Sequence, residues 1–255
     1  TIYPFIWVIL NSFKPRGLIR SDTFSLPIGD KFTLENYVTA FKRVDIGTAY
    51  VNSIVISGAV TVVVMVLAGL AAYAMVRYSF RLRGFLHSMI IASMMFPVFS
   101  TIIPVFRMES SWGIVNTGSI WLTRLSVVLP QIAGNLSFAI IVLMGFIRSL
   151  PVDLEEAAYL EGYNVYQIFF RIIMPLAKPS FATVGIFTFL WSYNDLFLQM
   201  FFLRSKKFFT ITRLLNEISS QAGTNYGLMV AAVVMVVIPV LVVYIFLQNY
   251  IIKGM

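Results

Sequence analysis

The sequence predicts an all-α membrane protein, and three observations carry that expectation. Hydrophobic residues make up 59% of the 255-residue chain and charged residues only 12%, far below the charged share of an ordinary soluble domain. Five runs reach the ~20 apolar residues that a helix needs to cross a bilayer core, and a partial run opens the chain. The one long polar passage between two such runs, Ser149 to Pro179, carries helix punctuation of its own. Nothing outside the runs is long enough to own a core. Residues 1–255 therefore read as a single transmembrane domain, with residues 149–179 as a loop inside it.

Thr1 begins within TIYPFIWVILNSF, which is too short to span, so the first helix is expected to start before Thr1. Lys14 to Gly47 carries Pro15, Pro27 and mixed charges and is expected as an exposed segment. The second span runs from about Ala49 to Val76, with Gly58, Ala59, Ala68, Gly69, Ala71 and Ala72 spaced for close helix packing. Arg77, Arg81 and Arg83 form a short basic loop. The third span, about Phe85 to Phe106, contains Pro97 and Pro104, which mark a bend, and Met94-Met95-Phe96 is expected in the bundle core or lining a gate, with core preferred. A polar turn around Ser110 to Gly118 leads to the fourth span, about Trp121 to Ile147, holding Pro130, Gln131 and Asn135. The fifth, about Ser180 to Leu203, holds Trp191, Tyr193, Asn194 and Asp195. Arg204 to Tyr226 is a polar re-entry, and the sixth span, about Gly227 to Leu247, has no charge. The far end, QNYIIKGM, stops abruptly.

The loop between the fourth and fifth spans has the clearest local grammar. Pro151 ends the preceding helix, because its ring and missing N–H cannot continue it. Asp153 followed three residues later by Glu156 is a capping-box pattern, so a short helix should start near Leu154. Gly162 supplies the left-handed position at which that helix can stop. Val165 to Ile173 places Val165, Ile168, Phe169 and Ile172 on one helical face, and Pro175 and Pro179 close the segment. The expected product is a helix–turn–helix outside the bilayer, with carboxylates and alanines on its first half.

Glu156-Ala157-Ala158, three residues, Gly162, nine residues, Ile172, one residue and Met174-Pro175 resembles the EAA loop of ABC importer permeases. Met174 stands where Leu is usual, Glu161 where Asp is common and Tyr163 where Ala is common. Asn52-Ser53, Ala71 to Ala74 followed by Arg77 and Phe80, Pro97 with Pro104, and Gly113 with Asn116-Thr117 are similar to the maltose-type sugar branch. So are Trp191 with Asn194-Asp195, and the terminal LQNYIIKG. The resemblance implies a MalG-like subunit with the six-helix type I importer fold, in a bacterial cytoplasmic (inner) membrane. It also implies a homologous second permease, two ATP-binding cassette subunits and a periplasmic solute-binding protein as partners, and no nucleic acid. Glu155, Glu156, Ala157, Ala158, Gly162, Ile172 and Pro175 would form the coupling helix and its frame. Glu155 and Glu156 would pair with basic residues of an ATPase groove, and the alanines would let backbones approach closely.

That topology puts Arg77, Arg81, Arg83, Arg148, Arg171, Lys178 and Lys253 inside. It leaves Lys14, Arg16, Arg20, Lys31, Lys42, Arg43, Arg107, Arg124, Arg204, Lys206, Lys207 and Arg213 outside, against the positive-inside tendency. Asp22, Asp30, Glu35, Asp45, Glu109 and Glu217 accompany the outer bases, leaving a net positive face. Such a face draws anionic ligands, which suggests an acidic, uronic-acid oligosaccharide of the alginate type. Docking of an acidic binding protein, or of lipid headgroups, explains the excess equally well.

Asp195 is the only acid inside a predicted span, and with Trp191, Tyr193 and Asn194 it suggests a substrate path; a structural contact with a neighbouring helix is the other reading. Gln131 and Asn135 face the same choice, with structure favoured. Arg204, Lys206, Lys207 and Arg213 would reach toward the binding protein. No GxxxxGK[ST] occurs, so ATP and Mg belong to a partner ATPase, and the chain reads as a pore-forming subunit rather than an enzyme. There is no cysteine, a single histidine (His87), no HExxH and no GxSxG, so neither a metal site nor a hydrolase elbow is expected. The readings left beside the sugar importer are an importer for another small solute and, in a different class, an ion-coupled secondary transporter using Asp195.

Overall fold

The computed structural model describes residues 3–43, 45–222 and 225–254, without the side chains of residues 43, 221, 222, 243, 244 and 246–254. The described residues form helices α1 (Tyr3–Ser12), α2 (Leu18–Ser21), α3 (Glu35–Arg43), α4 (Ile46–Arg77), α5 (Arg83–Ser93), α6 (Val98–Ser111) and α7 (Ile120–Ser149). They continue as α8 (Asp153–Leu160), α9 (Val165–Ile168), a π turn at Phe169–Ile173, α10 (Met174–Leu176), α11 (Lys178–Asn194), α12 (Leu196–Phe202), α13 (Ile211–Ala222) and α14 (Tyr226–Gly254). No strand occurs among them. The side chains of the terminal LQNYIIKG pattern, and of Arg43 and Lys253 in the charge count, lie outside the described residues.

Two helices, α4 and α7, are long and apolar enough to cross a membrane. Two bent pairs reach that length only together: α5 with α6, at 105°, and Val165–Leu176 with α11, at 81°. The described part of α14, Tyr226–Val242, is apolar but shorter. The third and fifth expected spans are both divided, the third at the bend that Pro97 marks in the sequence. The third breaks at Met94–Pro97, where Pro97 is extended (φ −68°, ψ 125°) and caps α6, while Pro104 sits inside α6. Met94, Met95 and Phe96 stand exposed at the break, by 51, 81 and 69%, and are not bundle core as expected. The fifth run breaks at Asp195, whose backbone (φ −72°, ψ 84°) leaves the helical region between α11 and α12.

The chain separates into two compact units. The first comprises Thr1–Ile54 and Asp195–Ile245. Its segment after α1 is largely exposed, as its composition suggested, but a few of its residues are buried, Lys14, Ile19, Asn36 and Ala40 among them. Lys14 is fully buried, its Nζ donating to the carbonyls of Asp22 (3.0 Å) and Thr23 (2.9 Å), and burial pushes its pKa down. Asn36 Nδ2 donates to the carbonyls of Ser12 and Lys14, and α14 approaches this amide through Gly227, where a Cβ would lie 2.3 Å from Asn36 Oδ1. Residues 206–222 are more regular than a polar re-entry implies, forming a short turn of helix and then α13. Phe208, Phe209, Ile211, Leu214 and Ile218 are buried, which fixes the inward face of α13.

The second unit comprises Val55–Asn194 and Phe246–Met255. Here α4 packs on α11 through small residues. A Cβ on Gly69 would lie 2.7 Å from Phe181 Cζ and 3.0 Å from Phe169 Cζ, and one on Gly185 would lie 3.0 Å from Met65 Sδ. Rigid aromatic edges against a bare Cα leave no room for a side chain. Gly69→Leu should therefore destabilise the detergent-solubilised protein by about 1–3 kcal/mol, read as a lowered midpoint of thermal unfolding. Pairing it with Phe181→Ala should recover most of that loss.

Candidate functional site: an anchored surface helix

The polar passage after α7 folds as two helices joined by a glycine turn. Gly162 takes φ +85°, and its N–H bonds the Tyr159 carbonyl (3.0 Å) while the Tyr163 N–H bonds the Ala158 carbonyl (3.0 Å). That pair of bonds is a Schellman motif, so the glycine stops α8 as its position in the sequence suggests. The start differs from expectation. Asp153 is already helical, Val152 occupies the N-cap, and no capping box forms there. The capping box belongs to α9 instead, where Asn164 Oδ1 accepts the Gln167 N–H and Gln167 Oε1 accepts the Asn164 N–H, both at 2.9 Å.

The inward face beyond α9 is also shifted. Ile168 and Phe169 are buried as expected, but Val165 is 37% exposed, Ile172 is half-buried, and Ile173 and Ala177 are the buried residues that follow. The π turn causes this, because its wider coil adds one residue and moves the face from position 172 to position 173. It also precedes Pro175, which cannot donate to a preceding carbonyl.

The two glutamates of α8 separate. Glu155 is 4% exposed and turned inward, and Glu156 is exposed. Arg77 Nε donates to Glu155 Oε1 at 2.5 Å, the two side chains being 11 and 6% exposed, and Tyr73 Oη donates to Glu155 Oε2 at 2.8 Å. Arg77 Nη2 also donates to the Leu150 carbonyl at 2.9 Å, tying in the end of α7. Glu155 is thus corrected from a groove-facing acid to the root of α8. Ala158 is likewise buried, whereas Ala157 is exposed, and Leu160 projects at 91% exposure. Tyr159 Oη meets Tyr78 Oη at 2.9 Å, and that hydrogen bond holds the Tyr159 phenol up at about 12.

The sequence did not single out Tyr73 and Arg77 as partners of Glu155. One signal was present: Gly69, Tyr73 and Arg77 recur every four residues, so they share one stripe of α4. The stripe touches Phe181 and Phe169 at Gly69, Phe169 at Tyr73 (ring centroids 5.5 Å apart) and Glu155 at Arg77.

The residues expected on a substrate path each have a local setting. Trp191 is 47% exposed and stacks edge-on against Phe138 (4.8 Å), with Phe187 beside it (5.9 Å). Tyr193 is 2% exposed and packs on Phe189, while Asn194 is exposed and donates to the Leu190 carbonyl. Gln131 Oε1 accepts the Ser192 hydroxyl at 2.6 Å, which joins α7 to α11 in a buried contact, and Asn135 Nδ2 donates to the Gln131 carbonyl at 2.7 Å within α7. Asp195 caps α12, its Oδ1 accepting the Leu198 N–H at 3.2 Å. Among the outer bases, Arg204, Lys206 and Lys207 are exposed. Arg213 instead lies against Phe209 (4.4 Å to the ring) and Glu217 (3.4 Å), which corrects its expected outward reach.

Residues 38–255 match the family described as binding-protein-dependent transport system inner membrane component. The chain belongs to that family. It is 35% identical over 250 residues to a diacetylchitobiose uptake system permease protein of Streptomyces coelicolor, covering 97% of this chain and 80% of the relative. It is 30% identical to a melibiose/raffinose/stachyose import permease protein of Bacillus subtilis, covering 99 and 88%. A crystal structure of a bacterial ABC transporter involved in import of the acidic polysaccharide alginate superposes with a TM-score of 0.82 at 24% identity, covering 98% of this chain and 90% of that one. This permease is thus a transport component with an all-helical importer fold.

Two substitutions probe the anchor. Arg77→Met should cost about 3–5 kcal/mol of stability, because it strands the Glu155 carboxylate in a buried setting. Adding Glu155→Gln should return much of it, and thermal melts of the single and double variants decide. In this permease Gly162→Val should cost about 1–2 kcal/mol, because a β-branched residue resists positive φ, and should show as faster proteolysis within residues 159–165.

Proposed function

We propose that this permease is one of two homologous transmembrane subunits of an ATP-driven importer that takes oligosaccharides from a periplasmic binding protein into the cytoplasm of a bacterium. In this reading residues 1–255 act as one permease domain. Its six spans are α1, α4, the bent α5–α6 pair, α7, α11 and α14. Two ATP-binding cassette subunits bind ATP and Mg, and the chain itself holds no cofactor or metal.

The observation that carries the reading is the two-faced build of α8. One face is rooted through Glu155 in α4 and the end of α7, and the other offers Asp153, Glu156, Ala157 and Leu160 to the surroundings. An apolar side chain standing almost bare beside carboxylates suits a groove with an apolar floor and basic rim. Closure of the ATPase pair would press on α8, and the buried ion pair would pass the displacement to α4 rather than let the helix slip. Gly162, Ile172 and Pro175 frame that lever, and the outward- and inward-open states differ by an amount nucleotide binding overturns.

The relatives named for diacetylchitobiose and for melibiose, raffinose and stachyose support an oligosaccharide as cargo. An acidic oligosaccharide is the second reading. The exposed Arg204, Lys206 and Lys207 and the fold neighbour that imports alginate favour it, whereas the permeases with names for uncharged sugars do not. Trp191 with Phe138 and Phe187 is the proposed aromatic surface along the path, since aromatic faces pack on sugar rings. Asp195 is spent on capping α12, which argues against an ion-coupled transporter built on it.

Glu156→Lys should leave the subunit inserted but abolish its co-purification with the ATPase in detergent; an intact complex would refute the docking role. Reconstituted importer supplied with binding protein should take up oligosaccharides only with ATP, and equal uptake of alginate oligomers and raffinose would refute the acidic reading.

A further inference from the structure

Asn52 and Ser53 belong to a sequence pattern to which the transport reading assigns no task. Both are 1% exposed, near the start of α4. Asn52 Nδ2 divides its protons between two carbonyls of one turn, Lys207 at 3.2 Å and Phe209 at 3.1 Å. Ser53 Oγ accepts the N–H of Ile211, the first residue of α13, at 2.8 Å. The first N–H groups of a helix have no partner within it, and here the acceptor comes from a residue 158 positions away. Thr210, just before α13 and fully buried, bonds Gln199 Oε1 through its hydroxyl and accepts the Arg213 N–H at 3.4 Å.

The turn between α12 and α13 is therefore fixed at both ends, by Asn52 at Lys207 and Phe209 and by Ser53 at Ile211. Its apolar residues are sunk as well, Phe208 at 6% and Phe209 at 2% exposure. What remains outward is basic. The Lys206 side chain is 67% exposed, and Lys207 lies with Nζ 4.6 Å from the Phe208 ring centroid.

A loop left flexible loses conformational freedom when a partner engages it, and that loss is subtracted from affinity. A loop already held by buried hydrogen bonds has given up that freedom on folding. We infer that Asn52 and Ser53 are positioning residues that pre-set the Lys206–Lys207 turn for engagement by the solute-binding protein, without touching that protein or its sugar. The inference rests on the importer reading and on the reach of this basic turn toward the binding protein that the sequence suggested, and it adds which residues of α4 govern the affinity of that engagement.

The test uses the complete importer in lipid nanodiscs, titrated with its fluorescently labelled binding protein, together with amide exchange on the same samples. Ser53→Ala and Asn52→Ala should each raise the half-saturating concentration of binding protein about tenfold, with the maximal ATPase rate within about twofold of wild type. The Ile211 amide should exchange at least about tenfold faster in Ser53→Ala, because it loses its acceptor. Ser53→Thr keeps the hydroxyl and should restore both readings. Unchanged Ile211 exchange, or faster exchange with unaltered half-saturation, overturns the inference. So does a lowered maximal rate with no change in half-saturation, because that places the pair in the transport step. A wild-type assembly that ignores the binding protein refutes the importer reading instead.

Discussion

The position of the surface helix depends on one ion pair almost withdrawn from water. Glu155 and Arg77 meet at 2.5 Å with side chains 6 and 11% exposed, so neither charge has solvent to fall back on. Such a pair holds because the remaining valences are met: Tyr73 gives its hydroxyl to the second carboxylate oxygen, and Leu150 accepts the second guanidinium proton. Separating the partners would leave each buried alone, so α8, the end of α7 and the end of α4 are held as a group. The same stripe of α4 receives Phe181 and Phe169 at Gly69 and Phe169 again at Tyr73. Three successive turns of one helix thereby locate three other elements.

Much of this was legible in the sequence, and the failures share a physical pattern. Apolar run length identified α4 and α7, and the Gly162 stop followed from its freedom at positive φ. Pro97 marked the break in the third span, but run length could not reveal the division at Asp195, because an apolar window reads the same whether its backbone is straight or folded. Spacing found a helical face after Asn164 but assumed 3.6 residues per turn, and the π turn at Phe169–Ile173 violated that assumption. The division of labour between Glu155 and Glu156 was not legible at all. Two adjacent acids on a helix point about 100° apart, and only the packed partner decides which is inside.

The charge count illustrates a related limit. Counting bases by side of the membrane treats each as free to act at a distance. Lys14 is sunk against two carbonyls, Lys31 meets Asp22 at 2.6 Å, and Arg213 is held by Glu217 and Phe209. What such residues contribute is shape, because each fixes a chain segment that apolar contacts alone would leave loose. Arg16, Arg20, Lys42, Arg107, Arg204, Lys206 and Lys207 remain exposed, and three of these seven, Arg204, Lys206 and Lys207, stand together on one short turn.

The wide turn at Phe169–Ile173 has a consequence for how the loop can vary. It stores one surplus residue, and a chain shortened by a single position there would tighten into ordinary helix while the residues beyond kept their inward phase. A deletion anywhere in α8 has no such slack. It would rotate everything downstream by about 100°, and one ahead of Ala158 would swing that residue out of its seat. Length changes in this passage should therefore be accommodated between Phe169 and Ile173, and nowhere nearer the acids.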